Sequence, residues 1–108
     1  MMNQYLAHYL IAVKHSGVSG FEHLEMLTVR DKLAEVKQQL SAEEVSQLET
    51  ADQLLLAQAN QFYVALAQIT DLHAERQVRQ TPPDRWWWYL DVLTRLPHRS
   101  LSAQYAAA

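Results

Sequence analysis

The sequence predicts an all-α fold, an irregular four-helix bundle built around one long central helix. Three observations lead there. Only two glycines and three prolines occur in 108 residues, and alanine, leucine, glutamine and glutamate, all good helix formers, dominate the rest. Capping-box spacing, a serine followed three residues later by glutamate, occurs at Ser19 with Glu22 and at Ser41 with Glu44. From Ala42 to Thr81 no glycine or proline intervenes, and Val45, Leu48, Leu55, Ala59, Phe62, Leu66 and Ile69 recur by threes and fours around Asp52, a heptad-like seam.

Each element has its own signal. Residues 3–15 carry Tyr5, Leu6, Tyr9, Leu10 and Val13 at helical spacing, and His15-Ser16-Gly17 supplies a stop. A second, continuous or slightly kinked helix spans 20–39; Thr28 with Asp31 repeats the capping spacing and leaves two short helices as the alternative. The third helix starts after Ser41 and runs to about residue 79. Unbroken, it would be about 57 Å long at about 1.5 Å per residue, against a diameter of roughly 34 Å for a compact chain of this size. It must bend near Ala57 to Asn60 or pack against a second copy, and the all-round apolar run Leu54-Leu55-Leu56 favours the copy. The last helix spans 82–96, with Thr81 as cap, Pro82 at its first position and Pro97 closing it. Residues 1–97 form a single helical domain and 98–108 a short flexible tail. The expected core is Leu6, Leu10, Val13, Leu24, Leu27, Leu33, Val36, Leu48, Leu55, Ala59, Phe62, Leu66, Ile69, Trp86, Leu90 and Leu93.

Composition narrows the function classes. At 49% hydrophobic and 19% charged, the chain has the apolar content of one folded domain. The absence of cysteine excludes disulfides, thiolate zinc sites and thiol nucleophiles, and fits a reducing compartment. The start lacks the basic flank of a signal peptide and the run Tyr9 to Val13 is too short to span a membrane, so the chain reads as soluble, unexported and cytoplasmic. A net charge of −3 lacks the basic field of a generic nucleic-acid binder.

Trp86, Trp87 and Trp88 are consecutive. With side chains turned by roughly 100° per residue on a helix, Trp86 aligns with Tyr89, Leu90, Leu93 and Leu96, whereas Trp88 falls among Asp84, Asp91 and Arg95. An indole on a polar stripe needs cover, so Trp87 and Trp88 are candidate interface anchors together with Leu54 and Leu56. Arg76, Arg79 and Arg85 cluster near the start of the last helix. They can clamp an anion, or satisfy the end of the preceding helix and pair with Glu75 and Asp84. Five histidines lack the spacing of a helical metal site, and glycine-rich phosphate loops and nucleophile elbows are missing. No metal, cofactor or catalytic residue is expected.

These features predict a small non-enzymatic interaction or regulatory protein acting as a helical homodimer through the long helix and the tryptophan-bearing helix. The alternative is a small-ligand or anion-binding module in which Tyr63, His73, Arg76 and the tryptophans line a cleft. A third reading is a nucleic-acid-binding regulator, a helix-turn-helix with its turn at Thr28 and residues 29–39 as reader; the neutral charge of that segment speaks against it.

Overall fold

A computed structural model describes residues 2–96; the expected stop at Pro97 and the tail at 98–108 lie outside the described residues. These form an all-α fold of six helices and two short 3-10 turns: α1 (Gln4–Ala12), α2 (Gly20–Val36), a 3-10 turn (Lys37–Gln39), α3 (Ala42–Ala57), α4 (Ala59–Ala67), α5 (Leu72–Arg79), a 3-10 turn (Trp86–Tyr89) and α6 (Leu90–Leu93). No helix among them is long and apolar enough to cross a membrane.

Caps set most of the starts. The Asn3 side chain accepts hydrogen bonds from the Tyr5 and Leu6 amides at 2.8 and 3.3 Å, satisfying donors that have no partner within α1. Both expected capping boxes form, Ser19 with Glu22 and Ser41 with Glu44. Glu44 also accepts from the Asn3 amide at 2.8 Å, so one carboxylate joins the starts of α1 and α3. The Ser41 amide first, then that of Asn3, holds the Glu44 carboxyl below the usual range. Helix α1 ends earlier than expected because its last turn tightens: the Lys14 and His15 amides donate to Ile11 and Ala12, the 3-10 pattern. Helix α2 runs straight through Thr28, whose hydroxyl donates to the Glu25 carbonyl at 2.7 Å. The turn required by a helix-turn-helix reading is not there.

The long central helix is not formed. It breaks at Gln58, where φ is −115° and ψ 22°, and again before α5, where Asp71 accepts from the His73 and Ala74 amides at 2.9 and 3.5 Å. The reason is tertiary. Helix α3 packs on α1, whereas α4 packs on α2 and α6, and one straight rod cannot turn the same stripe toward both sides. The bend keeps the described chain within 36 × 33 × 28 Å, so no rod overhangs the domain.

The last helix is also shorter than expected. Thr81 caps nothing, because the ring of Pro83 drives Pro82 away from helical backbone. The chain turns instead, with the Arg85 amide donating to the Pro82 carbonyl, and regular helix is confined to α6.

Most of the expected core is buried, including Leu6, Val13, Leu27, Leu33, Leu48, Leu55, Phe62, Leu66 and Leu90. Leu10, Leu24, Trp86 and Leu93 pack against that core half-buried, and Val36 and Ile69 are also half-buried. Tyr9, Met26, Ala51, Leu72, Trp87 and Trp88 complete it, along with the polar His23, Arg30, Asp52 and Asp91. Of the leucine triplet, Leu55 is buried, Leu56 half-buried and Leu54 38% exposed.

Two predictions come from the α2–α4 contact. A Cβ at Gly20 would overlap the Ala65 carbonyl oxygen, a backbone atom, whereas one at Gly17 would meet nothing within 4 Å. Gly20→Ala should therefore cost about 1–3 kcal/mol in denaturant unfolding, with Gly17→Ala close to neutral. His23 is buried, its ring centre 4.5 Å from that of Phe62 in an edge-on arrangement and its Nε2 donating to the Ser16 carbonyl at 3.0 Å. Burial lowers the imidazole pKa against the opposing pull of that carbonyl. The unfolded chain then takes up the proton first, so this contribution to stability is whole above about pH 6.5 and is lost as pH falls below it. Unfolding measured from pH 7.5 down to 5.5 should show a shallower decline for His23→Gln than for the wild type.

Candidate functional site: the tryptophan string and the adjoining cleft

The three indoles lie on a 3-10 turn, with three residues per turn rather than 3.6, which changes which of them face inward. Trp87 and Trp88 are 3% and 0% exposed, while Trp86 and Tyr89, three apart and in line, are half-buried. Trp86 meets Trp87 edge to face at 5.7 Å. The expected order, with Trp86 in the core and Trp88 outermost, is reversed. Trp87 and Trp88 are covered by their own chain.

Burying two indoles requires an acceptor for each N–H, and Asp31 on α2 supplies one oxygen for both. Trp87 Nε1 and Trp88 Nε1 donate to Asp31 Oδ1 at 2.8 and 2.9 Å, and the Arg85 guanidinium pairs with the same oxygen at 3.2 Å. On the far side, Arg76 donates to the Trp88 carbonyl at 2.9 Å and grips Asp91 with two bonds of 2.6 and 3.1 Å. Burial pushes the Asp91 carboxyl up, but hydrogen bonds and charge from Arg76 outweigh it and hold the group below the usual range. Arg76 also lies 4.5 Å from the Tyr89 ring centre, and Arg79 4.4 Å from that of Trp88, both cation–π distances. Arg79 pairs with Glu75 at 3.0 Å, as the sequence suggests, whereas Arg85 pairs with Asp31 rather than Asp84.

Arg30, 5% exposed, sits one residue before Asp31. Its Nε and Nη2 donate to the two oxygens of Asp52, each at 3.0 Å. The Tyr9 hydroxyl donates to the same carboxylate at 2.6 Å. Burial, then the charge of Asp52 and its hydrogen bond, pushes the Tyr9 phenol well above its usual value, so it serves as a neutral donor. The guanidinium carbon lies 4.1 Å from the Trp87 ring centre. Among the described residues, Arg30 Nη1 is the one buried side-chain nitrogen or oxygen with no hydrogen-bond partner.

Beside this group opens a cleft of about 580 Å³, lined by Trp86 and Trp87, by Arg30 and Asp52, and by Lys37, Glu49, Asp84 and Arg85. Of the sequence candidates, Trp87 and Arg85 reach it. Trp88, Arg76 and Arg79 form the packing behind it. Leu54 borders a separate shallow groove between α1 and α3, Leu56 is half-buried on α3, and Tyr63 is half-buried on α4. His73 is exposed and hydrogen-bonds the Gln77 side chain. The sequence reading missed Tyr9, Arg30, Asp31 and Asp52. Two signals were available: Asp52 interrupts an apolar seam, and Arg30 falls midway between Leu27 and Leu33 at steps of three, the placement of a charged pair shared between two buried helix faces.

Comparison with protein-family models, curated proteins and solved structures finds no match for this chain.

Asp31→Ala leaves two buried indole N–H groups without an acceptor and Arg85 without its carboxylate. It should cost about 2–4 kcal/mol in chemical unfolding, with Asp31→Asn, which keeps an oxygen in place, costing distinctly less.

Proposed function

We propose that this chain is a small non-enzymatic ligand-binding module and that the cleft beside Trp86 and Trp87 is its binding site. The observation that carries this reading is the cleft's construction: two indoles set among charged side chains, with the Arg30–Asp52 pair fixed in place, and a volume inside the range of roughly 300–1,000 Å³ common to small-molecule sites. Within its lining the two-pronged Arg30–Asp52 pair is already fixed, so binding need not order those two side chains. The cysteine-free composition suits work in the cytoplasm.

The second reading is an interaction or regulatory protein acting as a homodimer. Both sequence arguments for a partner, the overhanging rod and the indole on a polar stripe, are met within one chain by the bend at Gln58 and by Asp31. What favours this reading now is apolar exposure elsewhere: Phe21 is 69% and Ile11 62% exposed.

Intrinsic fluorescence separates the two. Trp86 borders the cleft half-buried, so a ligand module should show a saturable change with small molecules at constant protein concentration, weakened at least tenfold by Trp86→Ala. A dimer should instead show a mass in sedimentation that falls on dilution and is insensitive to Trp86→Ala. A constant monomer mass with no response to ligands would reject both readings.

A further inference from the structure

We propose that the cleft takes a small planar ligand bearing a single carboxylate or carbonyl acceptor, with the acceptor on Arg30 Nη1 and the ring against Trp86. This rests on reading the cleft as a ligand site. The argument begins with hydrogen-bond accounting. Asp52 engages Nε and Nη2 of Arg30, which leaves Nη1 buried and unpartnered on a residue that lines the cleft. A buried donor without an acceptor carries a desolvation penalty, greater when the group is charged, and an incoming oxygen removes it.

The surroundings select the rest of the ligand. An organic cation is disfavoured twice: it brings no acceptor to Nη1, and Arg30 already lies 4.1 Å from the Trp87 ring centre, where such a cation would stack. A phosphate is disfavoured by charge. Three carboxylates, Glu49, Asp52 and Asp84, offset the three cations Arg30, Lys37 and Arg85 that border the same cleft, and Arg30 and Arg85 are already paired with Asp52 and Asp31, so a dianion finds no net positive field there. A neutral carbonyl or one delocalised negative charge satisfies the donor without needing such a field. The half-buried Trp86 supplies a flat apolar wall for the ring. Because Nη1 is sealed from water on a guanidinium covered by the Trp87 ring, the occupant must displace part of that cover to reach it, so tryptophan emission reports the event.

Four probes test the assignment: indole-3-carboxylate, benzamide, benzylamine and inorganic phosphate. Each is titrated into the intact chain while tryptophan emission and the guanidinium ¹⁵N resonances of Arg30 are followed. The carboxylate and the amide should bind saturably and move the Arg30 signals, and benzylamine and phosphate should bind at least tenfold more weakly. Trp86→Ala should weaken carboxylate and amide together at least tenfold while leaving the melting temperature near that of the wild type. Arg30→Lys, which keeps the charge opposite Asp52 but has no Nη1, should abolish the preference for acceptor-bearing probes. If that variant does not fold, the Arg30 resonances of the wild type decide alone. Saturable binding in which benzylamine or phosphate equals the carboxylate, or in which the Arg30 signals stay fixed, overturns the ligand class and leaves the cleft a ligand site. Absence of saturable binding by any of the four overturns both.

Discussion

The buried ion pair between Arg30 and Asp52 is the constraint on which the rest of the architecture depends. Taking two charges out of water costs several kcal/mol per ion, and this is offset only where geometry and further hydrogen bonds are good. Here the carboxylate receives two guanidinium bonds and the Tyr9 hydroxyl, and the guanidinium is covered by the Trp87 ring. Those contacts come from α1, α2, α3 and the 3-10 turn before α6, so four segments are registered against one pair of side chains. A shift of α2 or α3 by one helical position would leave a charge buried alone, and a shift of α1 or of the turn would strip the pair of a hydrogen bond or of its aromatic cover. Apolar packing tolerates many arrangements; this pair does not.

Asp31, the neighbour of Arg30, extends the same logic to the carboxy-terminal segment. Among the described residues after the two prolines there are only a 3-10 turn and the four residues of α6, too little regular helix to be stable unaided. Side chains hold it instead: two indole N–H groups and Arg85 on Asp31 from one side, Arg76 on Asp91 and on the Trp88 carbonyl from the other. Of the arginines suspected from sequence of clamping a ligand, Arg76 and Arg79 seat aromatic residues, whereas Arg85 pairs with Asp31 and borders the cleft, where Arg30 has a donor to spare.

What could be read in the sequence was local. The capping boxes at Ser19 and Ser41 are chemistry within four residues, and both form; the apolar stripe of residues 45–69 is a periodicity, and its leucines and Phe62 are buried. What could not be read was where that stripe changes direction. Gln58 is neither glycine nor proline, and the chain bends there because α3 and α4 serve different partners, which is information held by α1, α2 and α6. The row of tryptophans misled for a related reason: helical phasing of 100° per residue sends Trp88 outward, and the Pro82-Pro83 turn delivers a tighter coil that sends it inward. Asp52 was visible as an interruption in the seam, but its partner lies 22 residues upstream, and pairing at that distance leaves no periodic trace.

The sharing of one carboxylate oxygen by two indoles has an optical consequence. Both rings bond to the same negatively charged oxygen, which tunes their transitions together, whereas Trp86 does not share that bond. Because the segment carrying them contains so little regular helix, its detachment would barely alter far-ultraviolet circular dichroism yet would transform the near-ultraviolet spectrum. The molecule thus carries separate optical signals for its helical scaffold and for the aromatic clasp that closes it.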